Sequence, residues 1–239
     1  MCLLVASGYN KRMVEYLKFN DFLAGIDLEE LKDKYRLIKI VELNMPKHVQ
    51  ALSCIYQQYW DKREGWVGYE SFYEIYKCSL HNELEQWRKD AQFSKETFYR
   101  GLPARIYRTW ASLLTQIQGA HVAESIYGKG NVRMGVNDDH KGKDLVINLG
   151  NRVGFLPVQI KKLSHRKEAQ RPRSPRNKYV QISYEVPKSG PRTKTGRESV
   201  PFKRWKKEWG NRLERLENGF IVFKPLMFKP KNLLRGIVE

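Results

Sequence analysis

The chain has 239 residues, enough for a sizeable core in one large domain or two small ones. Its 44 Lys and Arg against 26 Asp and Glu leave a formal net charge of +18 and a sequence pI near 9.8. That excess points to a polyanionic partner. The absence of any apolar run near the roughly 20 residues of a membrane span, and a start (Met1 to Ser7) too short for a signal peptide, turn the reading from membranes to nucleic acid.

In chain order, the first half reads as helical. Asn20 to Leu37 carries Phe22, Leu23, Ile26, Leu28, Leu31 and Leu37 at helix-like intervals, with Asp27 as a start signal. Pro46 suits the first turn of a helix through Val49, Leu52, Ile55, Tyr56 and Tyr59. Tyr69 to Trp87 repeats the pattern. One long or kinked helix is expected from Thr97 to about Ile126, its Leu102, Ile106, Trp110, Leu113, Leu114 and Ile117 forming a core stripe. From there Gly, Asn and Pro become frequent. Asp144–Asn148, Phe155–Ile160, Tyr179–Val186 and Phe220–Phe223 read as strands, and Phe202 to about Leu216 as a basic helix. The expected organisation is a mostly helical region over residues 1–110, followed over 111–239 by an α/β core, a central mixed sheet flanked by helices.

Three cysteines, Cys2, Cys54 and Cys78, are odd in number and far apart, which suits packing thiols in a reducing cytoplasm. The five histidines have no metal-ligand spacing and read as surface or capping residues.

The segment Gly142 to Lys161 is an apolar run, a Gly-Asn turn and a second apolar run, the pattern of a β-hairpin. Alternation along a strand turns Gln159 and Lys161 to one face and Ile160 to the other. With Asp144 on the paired strand, a carboxylate, an amide oxygen and an ammonium converge. Such a point can hold a divalent ion beside a water that must lose a proton, as phosphodiester hydrolysis requires. Lys162 is the second choice to Lys161, because a bulge would exchange the two. Asp138 and Asp139 lie in the polar approach to Asp144 and read equally well as turn residues.

Beyond the hairpin lie two Pro- and Gly-broken basic stretches, His165–Lys178 and Lys188–Arg197. Lys161 to Arg215 holds 18 basic and 5 acidic residues, most of the chain's net charge. Arg171, Arg173, Arg176, Lys178, Arg192, Lys194 and Arg197 are the candidate DNA contacts. Arginine pairs with guanine in a bidentate way, and lysine neutralises phosphate.

Phe22–Glu29, Lys34–Pro46, Ala104–Gln116, Gln159–Lys162 and Arg215–Phe223 together resemble the TaqI restriction endonuclease family. The matches run in order from about residue 20 to 224, and Pro225–Glu239 has no match. The resemblance implies a type II restriction endonuclease with a PD-(D/E)xK-like core. It further implies Mg²⁺-dependent cleavage of double-stranded DNA, with TCGA as the expected site, and a cognate adenine methyltransferase in a bacterial cytoplasm. Asp144 and Lys161 fall on the family's metal-binding Asp and its lysine-bearing strand, and Asp139 on a further acidic position. Gln159 stands where the wider superfamily has an acid, and the family shares that Gln. The amide and the Ile160 carbonyl are then neutral metal donors. The missing charge shifts onto Asp139, or onto Glu124, whose place at the end of the long helix resembles that of a superfamily helix acid.

A palindromic target implies a homodimer. The alternatives are a related repair or junction endonuclease and a non-catalytic nucleic-acid-binding protein. The gathering of Glu124, Asp139 and Asp144 near basic loops disfavours the last. If the basic stretches track DNA, charge reversal of Arg171, Arg173 and Arg176 lowers affinity and flattens the plot of log K against log [salt], by about 0.9 for each phosphate no longer neutralised. An unchanged slope in a salt titration would show that these loops do not face DNA.

Overall fold

In the computed structural model the described residues are 15–35, 38, 45–150, 154–163, 179–187, 191 and 196–234. They form two compact units. One comprises residues 21–117 with 217–220; the other takes residues 15–20, 118–216 and 221–234 as far as these are described. The boundary falls inside one long helix.

The first unit is helical. The predicted 20–37 helix is two helices, α1 (residues 15–24) and α2 (Leu28–Tyr35). Asp27 is a start signal, as expected: its Oδ1 accepts from the Glu30 N–H at 2.9 Å. The helix expected after Pro46 is instead broken into a 3₁₀ turn (Lys47–Val49), a short α3 (Leu52–Ile55) and a π-helical turn (Tyr56–Asp61). Tyr69 to Trp87 is likewise two helices, α4 (Tyr69–Ser79) and α5 (His81–Asp90), separated at Leu80. Periodicity alone runs on through such breaks, because the apolar stripe continues across them.

The long helix α6 spans Lys95–Tyr127 with Pro103 inside it. Ser94 Oγ accepts from the Thr97 N–H at its start, and Gly128, at φ 98°, follows its end, its N–H bonded to the Glu124 carbonyl. Tyr59, Tyr69, Tyr107 and Trp110 pack ring on ring within the first unit, with centroids 5.2–6.3 Å apart.

The second unit holds a four-stranded sheet, β1 (Val132–Arg133), β2 (Leu145–Asn148), β3 (Phe155–Leu163) and β4 (Val180–Glu185), in that order. β1–β2 and β2–β3 are antiparallel, and β3–β4 is parallel. The expected hairpin is therefore present. Its connection is longer than the two-residue turn read from Gly-Asn, since β2 ends at Asn148 and β3 starts at Phe155. Pro157 is tolerated in this inner strand because pairing with β4 begins only at Val158, so its missing N–H removes no β3–β4 bond.

Between β1 and β2 lies one turn, α7 (Val136–Asp139). The basic helix α8 (Val200–Trp209) is shorter than expected. Ser199 caps it, and residues 213–215 leave it as β5 (Leu213–Arg215), paired with β6 (Ile221–Phe223). After β6 come α9 (Pro225–Phe228) and α10 (Pro230–Leu234).

One face of the sheet is core. Val158, Ile160, Val180, Ile182 and Tyr184 are buried, and the Tyr184 ring meets Phe223 edge-on at 5.3 Å. Gly119 of α6 belongs to this core: a Cβ there would lie 3.1–3.2 Å from Ile160, Phe223 and Phe228 at once. One residue earlier, the fully buried Gln118 bonds the edge of β6. Its Nε2 donates to the Phe223 carbonyl at 3.1 Å, and its Oε1 accepts from the Phe223 N–H at 2.7 Å. Replacing it by leucine keeps the volume but leaves both main-chain groups buried and unpaired. Gln118→Leu is expected to lower unfolding free energy by about 2–4 kcal/mol, read in urea denaturation. A change under about 0.5 kcal/mol, the scale of an indifferent surface substitution, would show that this bond does not anchor β6.

Candidate active site

Asp144 is the last residue before β2, not part of the strand, and it is buried. Its backbone N–H donates to the Val158 carbonyl at 3.0 Å, and its Oδ2 accepts the Ile160 N–H at 2.5 Å. Where β2 has not yet begun, the side chain thus replaces the strand partner that Ile160 lacks. The carboxylate is held against β3 at the residue between Gln159 and Lys161. Burial pushes the Asp144 carboxyl up to about 7; the Ile160 N–H opposes the rise and the charge of Asp139 adds to it.

Asp139 closes α7, and its carbonyl accepts from the N–H of Gly142 at 2.8 Å. Gly142 takes φ 74°, a conformation that favours glycine, and thereby turns the chain from α7 into Asp144. The Gln159 amide lies alongside, with Nε2 3.8 Å from where a Gly142 Cβ would stand. Neighbouring Asp138 is a turn residue that also pairs with Arg133 at 3.2 Å.

β3 pairs with β4 in unbroken register from Val158 to Leu163, so no bulge exchanges the two lysines. Lys161 shares the face of Gln159, away from Ile160 and its core. It is exposed and makes no ion pair among the described residues. Lys162 follows on the opposite face. Glu124 is buried near the end of α6, where its Oε1 accepts the Gly130 N–H at 3.4 Å. The geometry thus draws Asp144, Ile160, Gln159 and Asp139 together, and Glu124 also bonds the loop after α6.

Of the seven candidate DNA contacts, Arg197 is exposed in the described chain. Arg171, Arg173, Arg176, Lys178, Arg192 and Lys194 lie outside the described residues. Among the described histidines one departs from expectation: His121 is buried, its ring 4.9 Å from that of Phe19, because α6 turns it inward with Gln118 and Val122. Cys54 is half-buried and Cys78 exposed, both as free thiols rather than core residues.

Among the described residues no three His, Cys, Asp or Glu side chains gather as a cage for a metal. A hard divalent ion does not need one, since one or two carboxylates suffice when waters and phosphate oxygens complete the shell. A carboxyl raised by burial, with the charge of Asp139 adding to the rise, is a group whose ionised form a bound cation would stabilise. These residues fit such an ion.

A mixed sheet flanked by helices, with a helical region before it, is a restriction-endonuclease-like fold. The profile of the TaqI restriction endonuclease family matches residues 16–233, and the chain belongs to that family. It is similar to the type II restriction enzyme TaqI of Thermus aquaticus, at 30% identity over 223 residues, covering 86% of this chain and 82% of that enzyme. The type II restriction enzyme TthHB8I of Thermus thermophilus is likewise 30% identical over 224 residues, with the same coverage. No solved structure matches. The activity of this class is site-specific cleavage of DNA, and no helix among the described residues is long and apolar enough to cross a membrane.

The raised Asp144 carboxyl has a consequence for stability. The folded chain binds this proton more tightly than the unfolded chain, whose value lies near 4. The contribution is complete below that value and is lost as pH rises towards 7. With chelator present, Asp144→Asn is expected to become more stable than the parent across that window, by on the order of a few kcal/mol at pH 8. Denaturation curves at pH 4 and pH 8 check this, and a pH-independent difference would contradict it.

Proposed function

We propose that the chain hydrolyses double-stranded DNA at a short palindrome, TCGA being the expected site, with Mg²⁺ bound at Asp144. The observation that supports this most directly is the bond from Ile160 N–H to Asp144, which sets a buried, charge-deficient carboxylate between Gln159 and Lys161. Asp144 would hold the ion, with the Gln159 amide oxygen and the Ile160 carbonyl as neutral donors and Asp139 or Glu124 as the further acid. The bound ion would polarise the phosphate and lower the pKa of a coordinated water. Lys161 orients the attacking water and offsets the charge that develops on the phosphoryl oxygens.

Arg197 and the basic residues of the two stretches before it contact phosphates and base edges. A homodimer is the active form, because a two-fold protein reads a palindrome with two copies of one surface. The setting is a bacterial cytoplasm, where a cognate adenine methyltransferase protects the host sites.

Digestion of unmethylated phage DNA with Mg²⁺, with and without chelator, tests the reading, and sequencing the fragment ends gives the site. Discrete fragments that disappear with chelator are expected. Nicks at mismatches or junctions would instead mark a repair enzyme. Asp144→Ala and Lys161→Ala are expected to lower plasmid cleavage at least about 1,000-fold, in line with the removal of a principal transition-state interaction, and to leave DNA binding largely intact. Wild-type turnover by either variant would overturn the assignment.

A further inference from the structure

The parallel pairing of β3 with β4 brings a second polar row to the face that carries Gln159 and Lys161. Gln159 stands in register with Gln181, and Lys161 with Ser183. Paired residues of neighbouring strands share a face, with main chains about 4.8 Å apart. Along β4 the burial alternates strictly. Val180, Ile182 and Tyr184 are buried in the core, while Gln181, Ser183 and Glu185 are half-buried on the other side. That second face is therefore accessible where Lys161 projects.

Gln181 and Ser183 are joined on it. The Gln181 Nε2 donates to the Ser183 Oγ at 2.7 Å. This bond uses an acceptor position of the hydroxyl and leaves its proton to be donated elsewhere. A strand crossing solvent needs no such arrangement. At the paired position of β3 stands an exposed ammonium with no ion-pair partner among the described residues, so a hydroxyl donor and a cation share one face of the sheet.

We propose that Ser183, oriented by Gln181, is a further catalytic residue: its hydroxyl donates to a non-bridging oxygen of the phosphate that Lys161 serves. The proposal rests on the reading of Lys161 given above. The bond strengthens as charge accumulates on the phosphoryl oxygens, so it acts on the cleavage step more than on binding. Gln181 is a positioning residue, acting through Ser183. No proton is transferred, because Ser183 keeps its hydrogen throughout and the attacking water loses its own elsewhere.

The test compares the full-length parent, Ser183→Ala, Ser183→Thr, Gln181→Leu and Lys161→Ala under single turnover, with Mg²⁺ and plasmid DNA carrying TCGA. DNA affinity is measured separately in chelator. Loss of a hydrogen bond to a charged oxygen is expected to slow cleavage by Ser183→Ala about 10- to 100-fold, with affinity within about twofold and thermal midpoint unchanged. Ser183→Thr retains the hydroxyl and most of the rate. Gln181→Leu, which keeps the serine and removes its partner, shows a smaller loss in the same direction, and it carries the test should Ser183→Ala fold poorly.

A second readout is specific to phosphate contact. Sulfur at one non-bridging oxygen of the scissile phosphate slows the parent more than it slows Ser183→Ala. Wild-type cleavage by Ser183→Ala while Lys161→Ala is inactive overturns the role of Ser183 and leaves the site reading standing. A rate loss that tracks weaker binding, or equal sulfur sensitivity in both proteins, also overturns it. An active Lys161→Ala would show that the underlying reading has failed.

Discussion

The hydrogen bond from the Ile160 N–H to the Asp144 carboxylate is the constraint around which the candidate site is arranged. It lies where β2 has not yet started and β3 still has a main-chain donor to satisfy. A buried N–H without an acceptor is expensive, and so is a buried carboxylate without a donor. Each group answers part of the need of the other. One donor, however, does not compensate a whole charge removed from water, and Asp139 adds a second negative field nearby. The raised carboxyl is the visible remainder of that imbalance.

The rest of the second unit supports that geometry from behind. Ile160 points away from Gln159 and Lys161 into a core that includes Gly119, Phe223 and Phe228. The absence of a side chain at Gly119 lets α6 approach the sheet closely, and Gln118 ties the same turn of helix to the main chain of β6. The strand that carries the candidate chemistry is thus fixed by packing on one face, which leaves the other face free for polar residues. Rigid backing of this kind is what a site needs if it is to hold donors at hydrogen-bond precision.

Much of this is legible without the fold. The four β segments of the second half are strongly β-branched or aromatic and bounded by Gly, Pro or Asn, and each forms a strand. Asp144, Gln159 and Lys161 are legible as a group because a hairpin has a period of two, and because the chain's charge is concentrated just beyond it. In the helical half the element type follows from the sequence and the boundaries do not. The π-helical turn after Ile55 and the break at Leu80 leave the apolar stripe uninterrupted. The helix expected over 202–216 runs too far for a different reason: a basic, weakly patterned segment carries no sign that Leu213 to Arg215 will pair with Ile221 to Phe223.

By itself the sequence determined the helical character of the first half, four of the strands in the second, the excess of basic charge, the hairpin and the resemblance to a nuclease family, since these depend on local periodicity, composition and ordered motifs. Only the tertiary structure decided that Asp144 lies just outside its strand and bonds the main chain of β3. It likewise decided that Lys161 rather than Lys162 shares the face of Gln159, and that Gln181 and Ser183 stand beside Gln159 and Lys161. For the last of these the reason is the parallel pairing of β3 with β4. Its register joins residues 22 positions apart through a crossover, and no local pattern in the chain encodes that distance.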